Sequence, residues 1–498
     1  MPDPTSNGTT KTGLTSSDAA PRAAIETRSI DYVPESERHG KVWMQGPFWF
    51  LGNFQPFTVA IGFVGPLLGL SLGWTAVASI LGILFGTLFM AAHAAQGPRL
   101  GLPQMIQSRA QFGYRGVILP LVATGFTYLA FNVVDTIIIK EGLAGIFGWN
   151  ATLVAVVVTV LATVLAIYGH DWLHRVFQVL FVVSIPFWVV LTVGVLLGHA
   201  GGGAAPASQF TWSGFLAMFT VAASYNITYA PYVSDYSRYL PRETSTRAII
   251  TSVFVGASAS PIWLIPLGAW LATRLGATDA LAGIHDAGNA VVPTIGSILA
   301  VLSVLALVAT MGLNAYSGML SVITAIDIVK PVRPTARVRV ATIIVLAVVW
   351  LVAGLALADS VAALNSALIA MLYLLAPWTA INLLDFFLVR HGHYAVTDLF
   401  TPSGIYGLWG RAGVISYLVA IVVEVPLAYL PPYYESWGAQ ALQGVDVSWI
   451  LGMLVGGGLY AVLLRRDVGG RSHADVVETE RAAVARSERV LSETGTAR

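Results

Sequence analysis

The sequence contains no cysteine among its 498 residues. This absence excludes disulfide bridges, thiolate metal sites and cysteine nucleophiles. Charge is also scarce, because Asp, Glu, Lys and Arg together make up 11% of the chain and the net charge is +1. A chain without a basic excess gives no reason to expect nucleic acid as a partner. We also expect no obligate protein partner, since no segment indicates one.

Motifs of common enzymes and ATP-driven pumps are missing as well. We find no zinc-type histidine spacing, no phosphate-binding Gly-Lys-Ser/Thr loop and no Gly-x-Ser-x-Gly elbow in a usable context. No ring of charges typical of a pore is visible either. We therefore expect no cofactor, and an integral membrane enzyme or a passive channel is the disfavoured alternative.

The sequence is rich in long apolar segments. Hydrophobic residues make up 56% of the chain, and many nearly uncharged runs are long enough to cross a bilayer. The sequence therefore predicts an all-α polytopic membrane protein with about twelve transmembrane helices. The predicted spans lie near residues 46–70, 74–95, 116–139, 150–168, 176–198, 212–234, 248–272, 296–323, 338–358, 361–388, 411–431 and 446–464.

The placement of positive charge supports this number of spans. If the N-terminus is cytoplasmic, only Lys140 and Arg274 of the 27 Lys and Arg residues lie on the outer side. Cytoplasmic loops of membrane proteins are rich in Lys and Arg. We therefore predict a plasma-membrane protein with both termini in the cytoplasm. Residues 1–45 are predicted to be a disordered N-terminal tail, 46–464 the transmembrane domain, and 465–498 a cytoplasmic C-terminal tail that is more often solvated than helical.

The first span carries a signal for a broken helix. Gly52 weakens the helix and Pro56 removes a hydrogen-bond donor, while Asn53 and Gln55 add polar side chains at the same depth. Irregular backbone at mid-membrane is tolerated only where it faces protein, water or a ligand. A kinked helix without a ligand is the alternative interpretation. We predict one half of a transport site here.

A second break is predicted in the sixth span. Pro231 opposes the carbonyl of Ile227, four residues back, and two tyrosines, Tyr225 and Tyr229, lie beside it. The first and sixth spans run in opposite directions across the membrane. Two interrupted helices of opposite orientation, five spans apart, are typical of transporters with two inverted repeats, in which the substrate binds at the breaks.

Polar stripes follow the third and eighth spans. Thr124, Tyr128, Asn132 and Asp135 share one face of the third helix, and Thr310, Asn314, Ser317 and Ser321 share a face of the eighth. Isolated hydroxyl and amide groups often only hold membrane helices together. An aromatic ring, an amide and a carboxylate on one face instead favour a binding site, because polar groups inside a bilayer are costly.

The remaining acids and the histidines are expected at the inner surface. For the acids, helix capping and surface ion pairs explain their presence; the histidines are expected to be solvated. The residues in question are Asp235, Asp327, Asp385, His170, His174, His391 and His393.

Several longer motifs, in order, are similar to those of a known family. They are GPRLGLPQMIQSRAQFGY at 97–114, SDYSRY at 234–239, PWTAINLLDFFLVR at 377–390, GHY at 392–394 and GIYG at 404–407. The chain resembles the purine–cytosine permeases, the first nucleobase–cation symporter family, from residue 30 to about 432. The resemblance implies a LeuT-type fold of two inverted five-helix repeats, with helices 1 and 6 broken, plus two extra helices. It implies cation-coupled import of a nucleobase or related ring.

The resemblance also implies site residues. It places Tyr128 and Asn132 of the third helix, Tyr229 of the sixth and Asn314 of the eighth at substrate-binding positions, together with Asn53 of the first. Two departures stand out: both aromatic positions commonly carry Trp in the family, and a polar first-helix position is Leu51 here. With Gly52, Gln55 and Tyr225, these residues form the predicted substrate site.

The coupling cation is the point on which this chain departs most from its family. In sodium-coupled members, hydroxyl residues five and six positions before the eighth-helix Asn bind the cation, and here those positions are Ala309 and Val308. Thr310 lies one residue further round the helix. Asp135 is the deepest acid and needs only a proton to be neutral. We therefore favour a proton over sodium, with Asp135 and Thr310 as candidate coupling residues.

The predicted function is a symporter that imports cytosine or a purine by alternating access. The alternative of the same fold transports a hydantoin, allantoin, uracil or a vitamin-like ring. Aromatic rings and amides suit a neutral planar ring, because they supply stacking faces and in-plane hydrogen bonds without a buried charge.

Overall fold

Most of the described chain is helical. The computed structural model describes residues 28–203, 210–332, 335–357, 360–466 and 473–494. The helices are α1 (Gln45–Gly52), α2 (Pro56–Leu67), α3 (Leu72–His93), α4 (Gln96–Leu100), α5 (Gln104–Gln107), α6 (Arg109–Phe112), α7 (Ile118–Phe147), α8 (Ala151–Tyr168), α9 (His170–Leu196), α10 (Trp212–Ile227), α11 (Ala230–Ser237), α12 (Thr246–Trp270), α13 (Ala280–Val291), α14 (Ile295–Val329), α15 (Ala336–Ala356), α16 (Ser360–Leu384), α17 (Arg411–Glu424), α18 (Trp437–Ala441), α19 (Ser448–Arg466) and α20 (His473–Thr494). One short antiparallel hairpin, β1 (Tyr429–Leu430) and β2 (Tyr434–Glu435), precedes α18.

The helix lengths match the predicted spans. Within the described ranges, eight helices are long and apolar enough to cross a membrane, namely α3, α7, α8, α9, α12, α14, α15 and α16. The other four predicted spans correspond to the pairs α1/α2 and α10/α11 and to α17 and α19. The prediction of an all-α membrane protein with about twelve spans is confirmed. The sequence did not reveal α13, which lies between two spans and packs against α14 and α7.

Both predicted helix breaks are present. The chain leaves α1 at Asn53, Gln55 adopts an extended backbone, and Pro56 is the first residue of α2. Proline suits that position, because the first helical residue needs no backbone donor. In the second break α10 ends before Thr228, and Pro231 lies in the first turn of α11. Each proline therefore starts a new half-helix.

Glycines let the neighbouring helices approach the broken ones closely. A Cβ atom on Gly86 of α3 would lie 2.2 Å from the carbonyl oxygen of Ala223 in α10. A Cβ atom on Gly62 of α2 would lie 2.2 Å from the carbonyl oxygen of Ile265 in α12. Small residues at such contacts are the usual means of close helix packing in membranes. The half-helices α10 and α2 therefore pack closely against α3 and α12 beside the breaks.

The segment 28–44 differs from the sequence expectation of a disordered tail up to residue 45. Ile30 and Val33 are fully buried. The guanidinium of Arg38 donates to the carbonyl oxygens of Val33 at 2.9 Å and Pro98 at 2.6 Å. Apolar residues within the last part of the tail thus bind it to the bundle. At the other end of the chain, α20 is a helix whose Ala483 is buried.

The inner acids and two of the histidines are also more buried than the sequence suggests. Asp327 and Asp385 are fully buried, so neither takes part in a surface ion pair. His170 and His174 are 7% and 8% exposed, whereas His391 is exposed as expected. Buried charges require partners. The side of the bundle predicted to be cytoplasmic therefore contains several buried polar groups.

Candidate functional site

The two helix breaks are joined directly by a hydrogen-bonded pair of amides. Asn53 Nδ2 donates to Asn226 Oδ1 at 2.9 Å and to the carbonyl oxygen of Ala257 at 2.8 Å. Asn226 Nδ2 in turn donates to Thr87 Oγ1 at 2.6 Å. All these groups are buried within the membrane-spanning part. The pair fixes the end of α1 against the end of α10 and links both to α3 and α12.

The carbonyl groups freed at the first break accept hydrogen bonds from side chains. Gln55 Nε2 donates to the carbonyl oxygen of Gly52 at 3.1 Å. The Thr58 hydroxyl donates to the carbonyl oxygen of Asn53 at 2.5 Å and lies 2.7 Å from the Tyr225 hydroxyl. The Thr58 hydroxyl proton is already donated to the carbonyl oxygen of Asn53, so the Tyr225 hydroxyl donates to Thr58 Oγ1. Four predicted site residues thus meet at one break.

A cluster of aromatic rings lies beside the second break. Tyr229 stacks on Phe131 of α7, with ring centroids 5.2 Å apart and planes 25° apart. Tyr232 lies 5.0 Å from Tyr229 and makes an edge-to-face contact with Tyr128, at 4.6 Å. The predicted stacking residues Tyr128 and Tyr229 are therefore connected through Tyr232. On the other side, Tyr225 stacks on Phe57 of α2.

The two predicted edge-reading amides bind each other. Asn132 Nδ2 donates to the carbonyl oxygen of Met311 at 3.2 Å, which leaves Asn132 Oδ1 as an acceptor. Asn314 Nδ2 donates to that oxygen at 2.8 Å. The chain of donors fixes the orientation of both amides, because a backbone carbonyl can only accept. Asn314 Oδ1 remains without a partner among the described residues.

Three amide oxygens of the site are buried without a hydrogen bond to any part of the described chain. They belong to Asn53, Gln55 and Asn314. Each amide nitrogen is engaged with a fixed acceptor, so the free atom is the oxygen in all three. An unsatisfied buried polar group costs about 1 to 3 kcal/mol. Such groups are most easily explained by a ligand or by water that brings N–H or O–H donors.

The two candidate coupling residues have different surroundings. Asp135, on α7, is 1% exposed, and neither of its carboxylate oxygens has a partner within the ranges that the structure covers. Thr310, on α14, is equally buried, but its hydroxyl donates to the carbonyl oxygen of Ala306 in the same helix at 3.1 Å. Asp135 is therefore the candidate coupling residue whose side chain has no hydrogen-bond partner among the described residues.

Sequence reasoning missed Phe131, Tyr232 and Asn226. Asn226 carried a usable signal, because a buried amide in a membrane helix beside a break calls for a partner or a function. Phe131 and Tyr232 carried none, since aromatic residues are ordinary in apolar helices. Their role depends on which face of the helix turns toward the breaks, and only the packed structure shows this.

Comparison with known proteins assigns the chain to a family. The family model described as "Permease for cytosine/purines, uracil, thiamine, allantoin" matches residues 32–452. A Bacillus subtilis protein named "Putative purine-cytosine permease YxlA" is 34% identical over 449 residues, which cover 89% of this chain and 96% of that protein. The Saccharomyces cerevisiae purine-cytosine permease FCY2 is 25% identical over 274 residues, covering 52% of this chain and 49% of that protein.

Solved structures show the same fold. Mhp1, described as a nucleobase-cation-symport-1 family transporter, in a closed conformation with bromovinylhydantoin bound, superposes with a TM-score of 0.71 at 18% identity. The match covers 94% of this chain and all of Mhp1. A Na+-coupled sialic acid symporter superposes with a TM-score of 0.55 at 12% identity, covering 86% of this chain and 91% of that one. The predicted LeuT-type fold is confirmed.

Proposed function

Because the chain belongs to the family of permeases for cytosine/purines, uracil, thiamine and allantoin, we propose that it imports a neutral nucleobase, cytosine or a purine, together with a cation. Import follows alternating access, in which one group of helices rocks against the other around a site at the two breaks. Transport rather than catalysis is the proposed activity, in keeping with the relatives, which are named as permeases.

The observation that carries this proposal is the set of three unpaired amide oxygens beside stacked aromatic rings. Cytosine and purines present ring and exocyclic N–H donors in one plane, which match acceptors on amide side chains. Base–aromatic stacking contributes roughly 1 to 3 kcal/mol, and each good hydrogen bond adds about 1 kcal/mol net. Such a sum gives modest affinity and fast release, as a transporter needs.

Each residue has a proposed role in this site. Tyr128 and Tyr229 provide stacking faces, and Asn132 and Asn314 read the edge of the ring. Since Tyr229 already stacks on Phe131, the substrate would have to displace one of these two rings or stack on its outer face. Gly52, Asn53, Gln55 and Tyr225 complete the site at the first break.

Substitution of the paired amides tests the site. We expect Asn132→Ala and Asn314→Ala to weaken uptake by about 5- to 150-fold at limiting substrate, corresponding to roughly 1 to 3 kcal/mol for unpaired groups. Tyr128→Phe keeps the ring and is expected to be milder than Tyr128→Ala. Initial uptake rates of radiolabelled cytosine and hypoxanthine, normalised to protein in the membrane, measure the effect. Wild-type uptake in both Asn variants would place the substrate elsewhere.

The substrate class is tested by competition. Unlabelled cytosine, purines, uracil, a hydantoin, allantoin and a vitamin-like ring are offered during uptake of the labelled base. Inhibition by cytosine or purines at the lowest concentrations supports the proposal. Strongest inhibition by a hydantoin, allantoin, uracil or vitamin would instead establish the alternative of the same fold.

The orientation in the plasma membrane can be measured directly, because the chain has no native cysteine. We expect single cysteines at Arg242, whose side chain is 38% exposed, and at the exposed Arg337 to react only with reagents that reach the cytoplasm. Thr278→Cys, at another exposed position, is expected to react from outside. Arg109 is fully buried and unsuitable for labelling, and Ala205, an expected outer residue, lies outside the described residues. External labelling at Arg242 would reverse the sixth span and contradict the proposed orientation.

A further inference from the structure

A second group of polar side chains lies away from the breaks, where α9 begins and α11 ends. It surrounds a cavity of about 190 Å³ on the side predicted to be cytoplasmic. His39 comes from the N-terminal segment, and His170 and Asp171 are the first two residues of α9. The ligand-type atoms of these three residues lie within 4.8 Å of one another. We call this group the inner His/Asp cluster.

The two histidines of the inner His/Asp cluster face the same carboxylate oxygen. His39 Nε2 lies 3.2 Å from Asp171 Oδ1, and His170 Nδ1 lies 3.0 Å from it. These separations are close to those between neighbouring ligands of one metal ion, given metal–ligand distances of about 2.0 to 2.2 Å in a tetrahedral arrangement.

The other ring nitrogen of each histidine faces a backbone carbonyl oxygen. His39 Nδ1 lies 2.8 Å from the carbonyl oxygen of Glu37, and His170 Nε2 lies 3.3 Å from that of Tyr236. A carbonyl can only accept, so these nitrogens carry a proton, and in the neutral form of each ring the other nitrogen carries none. The nitrogens that face Asp171 then present lone pairs to a carboxylate. A cation between them resolves this conflict, and a carbonyl acceptor behind a histidine is the usual arrangement at metal sites.

A third histidine is close to the inner His/Asp cluster. His174 follows His170 by one helical turn, and its ring centroid lies 4.5 Å from that of His170. It lines the same cavity, is 8% exposed, and its Nε2 has no hydrogen-bond partner within the described part of the chain. An unpaired buried nitrogen that lines this cavity is an independent indication that something binds here.

We propose that His39, His170 and Asp171 bind one transition-metal cation of the Zn²⁺ class. Two imidazoles and one carboxylate suit Zn²⁺, Ni²⁺ or Cu²⁺ and not Mg²⁺ or Ca²⁺, which prefer sets of oxygen ligands. The fourth ligand would be a water from the cavity or the nitrogen of His174, which lines the same cavity. Lys41 and Arg175 also line the cavity, so the cation would have to be held by direct coordination rather than by a negative surrounding.

The bound metal would connect elements from distant parts of the chain, and it would resist any opening of the inner side that separates them. His39 belongs to the N-terminal segment, His170 and Asp171 to α9, and the carbonyl oxygen behind His170 to α11. A cation that holds them together favours the conformation closed on this side. The site therefore acts as a metal-dependent brake on release of substrate. This second step relies on the proposed transport function, whereas metal binding itself does not.

Metal binding is measured on the full-length protein purified without a polyhistidine tag. We expect calorimetry to give one Zn²⁺ per chain, and Co²⁺ to give the visible absorption of a tetrahedral or five-coordinate site. His39→Ala and Asp171→Asn are each expected to weaken Zn²⁺ binding by at least about 100-fold, since even residues behind the ligands change metal affinity by 10- to 100-fold. The matched control is His393→Ala, which removes an exposed histidine away from the cluster and should bind as wild type.

Two outcomes would overturn the metal site. They are absence of stoichiometric Zn²⁺ binding in the wild type, and equal binding in wild type and Asp171→Asn. The Asp171 side chain is 40% exposed, so Asp171→Asn is expected to fold even if His39→Ala does not. Equal melting temperatures without metal verify this.

The brake is tested by substrate exchange in proteoliposomes. Zn²⁺ that reaches the side bearing the cluster should slow exchange in wild type and in His393→Ala, and leave Asp171→Asn unaffected. Equal inhibition of wild type and Asp171→Asn would exclude the brake while leaving the calorimetric result intact. Failure of the proposed function itself would be recognised differently, as absence of exchange in every variant without metal.

Discussion

Replacing Asp327 by alanine is expected to destabilise the folded protein by about 3 to 5 kcal/mol, because it leaves a buried guanidinium without its counter-charge. Arg109 Nη2 lies 3.0 Å from Asp327 Oδ2, and both side chains are completely inaccessible to solvent. The same carboxylate accepts hydrogen bonds from the Tyr114 hydroxyl at 3.1 Å and from the backbone N–H of Val332 at 3.2 Å.

The effect is measured as loss of protein from the membrane and as a lower melting temperature in detergent. Arg242→Ala provides a matched control, since it breaks two exposed ion pairs, with Glu35 and Glu488, and exposed pairs contribute at most about 1 kcal/mol. The double variant Arg109→Met/Asp327→Leu should be more stable than Asp327→Ala, because removing both charges avoids the unpaired one. If Asp327→Ala were as stable as Arg242→Ala, the buried pair would have no structural importance.

The membrane architecture could be predicted because each sequence feature that indicates it lies within a short segment of the chain. A long apolar run indicates a transmembrane helix regardless of the residues that pack against it. The placement of Lys and Arg supports the number of spans independently. The two breaks were predictable for the same reason. Pro56 and Pro231 each lack a backbone donor and clash with the carbonyl four residues back, which disfavours a continuous helix, and both lie in the first turn of a half-helix. Pro186 and Pro261, in contrast, lie inside continuous helices, so the polar and glycine residues beside the two breaks were a necessary part of the prediction.

What the sequence could not reveal depends on contacts between distant segments. Asp327 looks like an ordinary acid at a helix end until the fold brings Arg109 to it, 218 residues away. In the same way, His39 and Asp171 are 132 residues apart in sequence. Charge at the end of an apolar run therefore indicates only that the run has ended, and whether the charge is solvated or buried is decided by packing.

Part of the arrangement of the candidate substrate site could be predicted from the sequence. Helical spacing places Tyr128, Asn132 and Asp135 on one face of α7, and the structure indeed buries all three. The spacing does not reveal that Asn132 Nδ2 donates to a carbonyl oxygen of α14 and that Asn314 Nδ2 donates to Asn132 Oδ1. These two bonds leave Asn314 Oδ1 as the acceptor without a partner among the described residues. Which atom of an amide remains for a ligand is set by its partners in the fold, and this decides whether the ligand must donate or accept.

Asp135→Asn is expected to abolish concentrative uptake while exchange of substrate across the membrane continues. An ionised carboxylate buried without a partner is costly, by several kcal/mol, and both oxygens of Asp135 lack partners in the described chain. The carboxyl is therefore expected to carry a proton when it is enclosed and to release it when the site opens to the cytoplasm. Asparagine has nearly the same shape but cannot release a proton, so substrate movement would be separated from the proton gradient.

The expected difference is large and can be measured in proteoliposomes with an imposed pH gradient and membrane potential. One proton that crosses about 100 mV contributes roughly 2.3 kcal/mol, enough for roughly fifty-fold accumulation, whereas Asp135→Asn should only equilibrate the substrate. Asp286→Asn, which changes an exposed acid, is the matched control and should accumulate substrate as wild type does.

Uptake by the wild type should rise with external acid and be indifferent to replacement of sodium by choline, because Val308 and Ala309 offer no side-chain oxygen to a sodium ion. If removal of sodium at constant pH abolished uptake, or if Asp135→Asn still concentrated substrate, the proton would not be the coupling ion. The cation would then bind oxygens at the first break together with Thr310, whose hydroxyl would have to leave the carbonyl of Ala306.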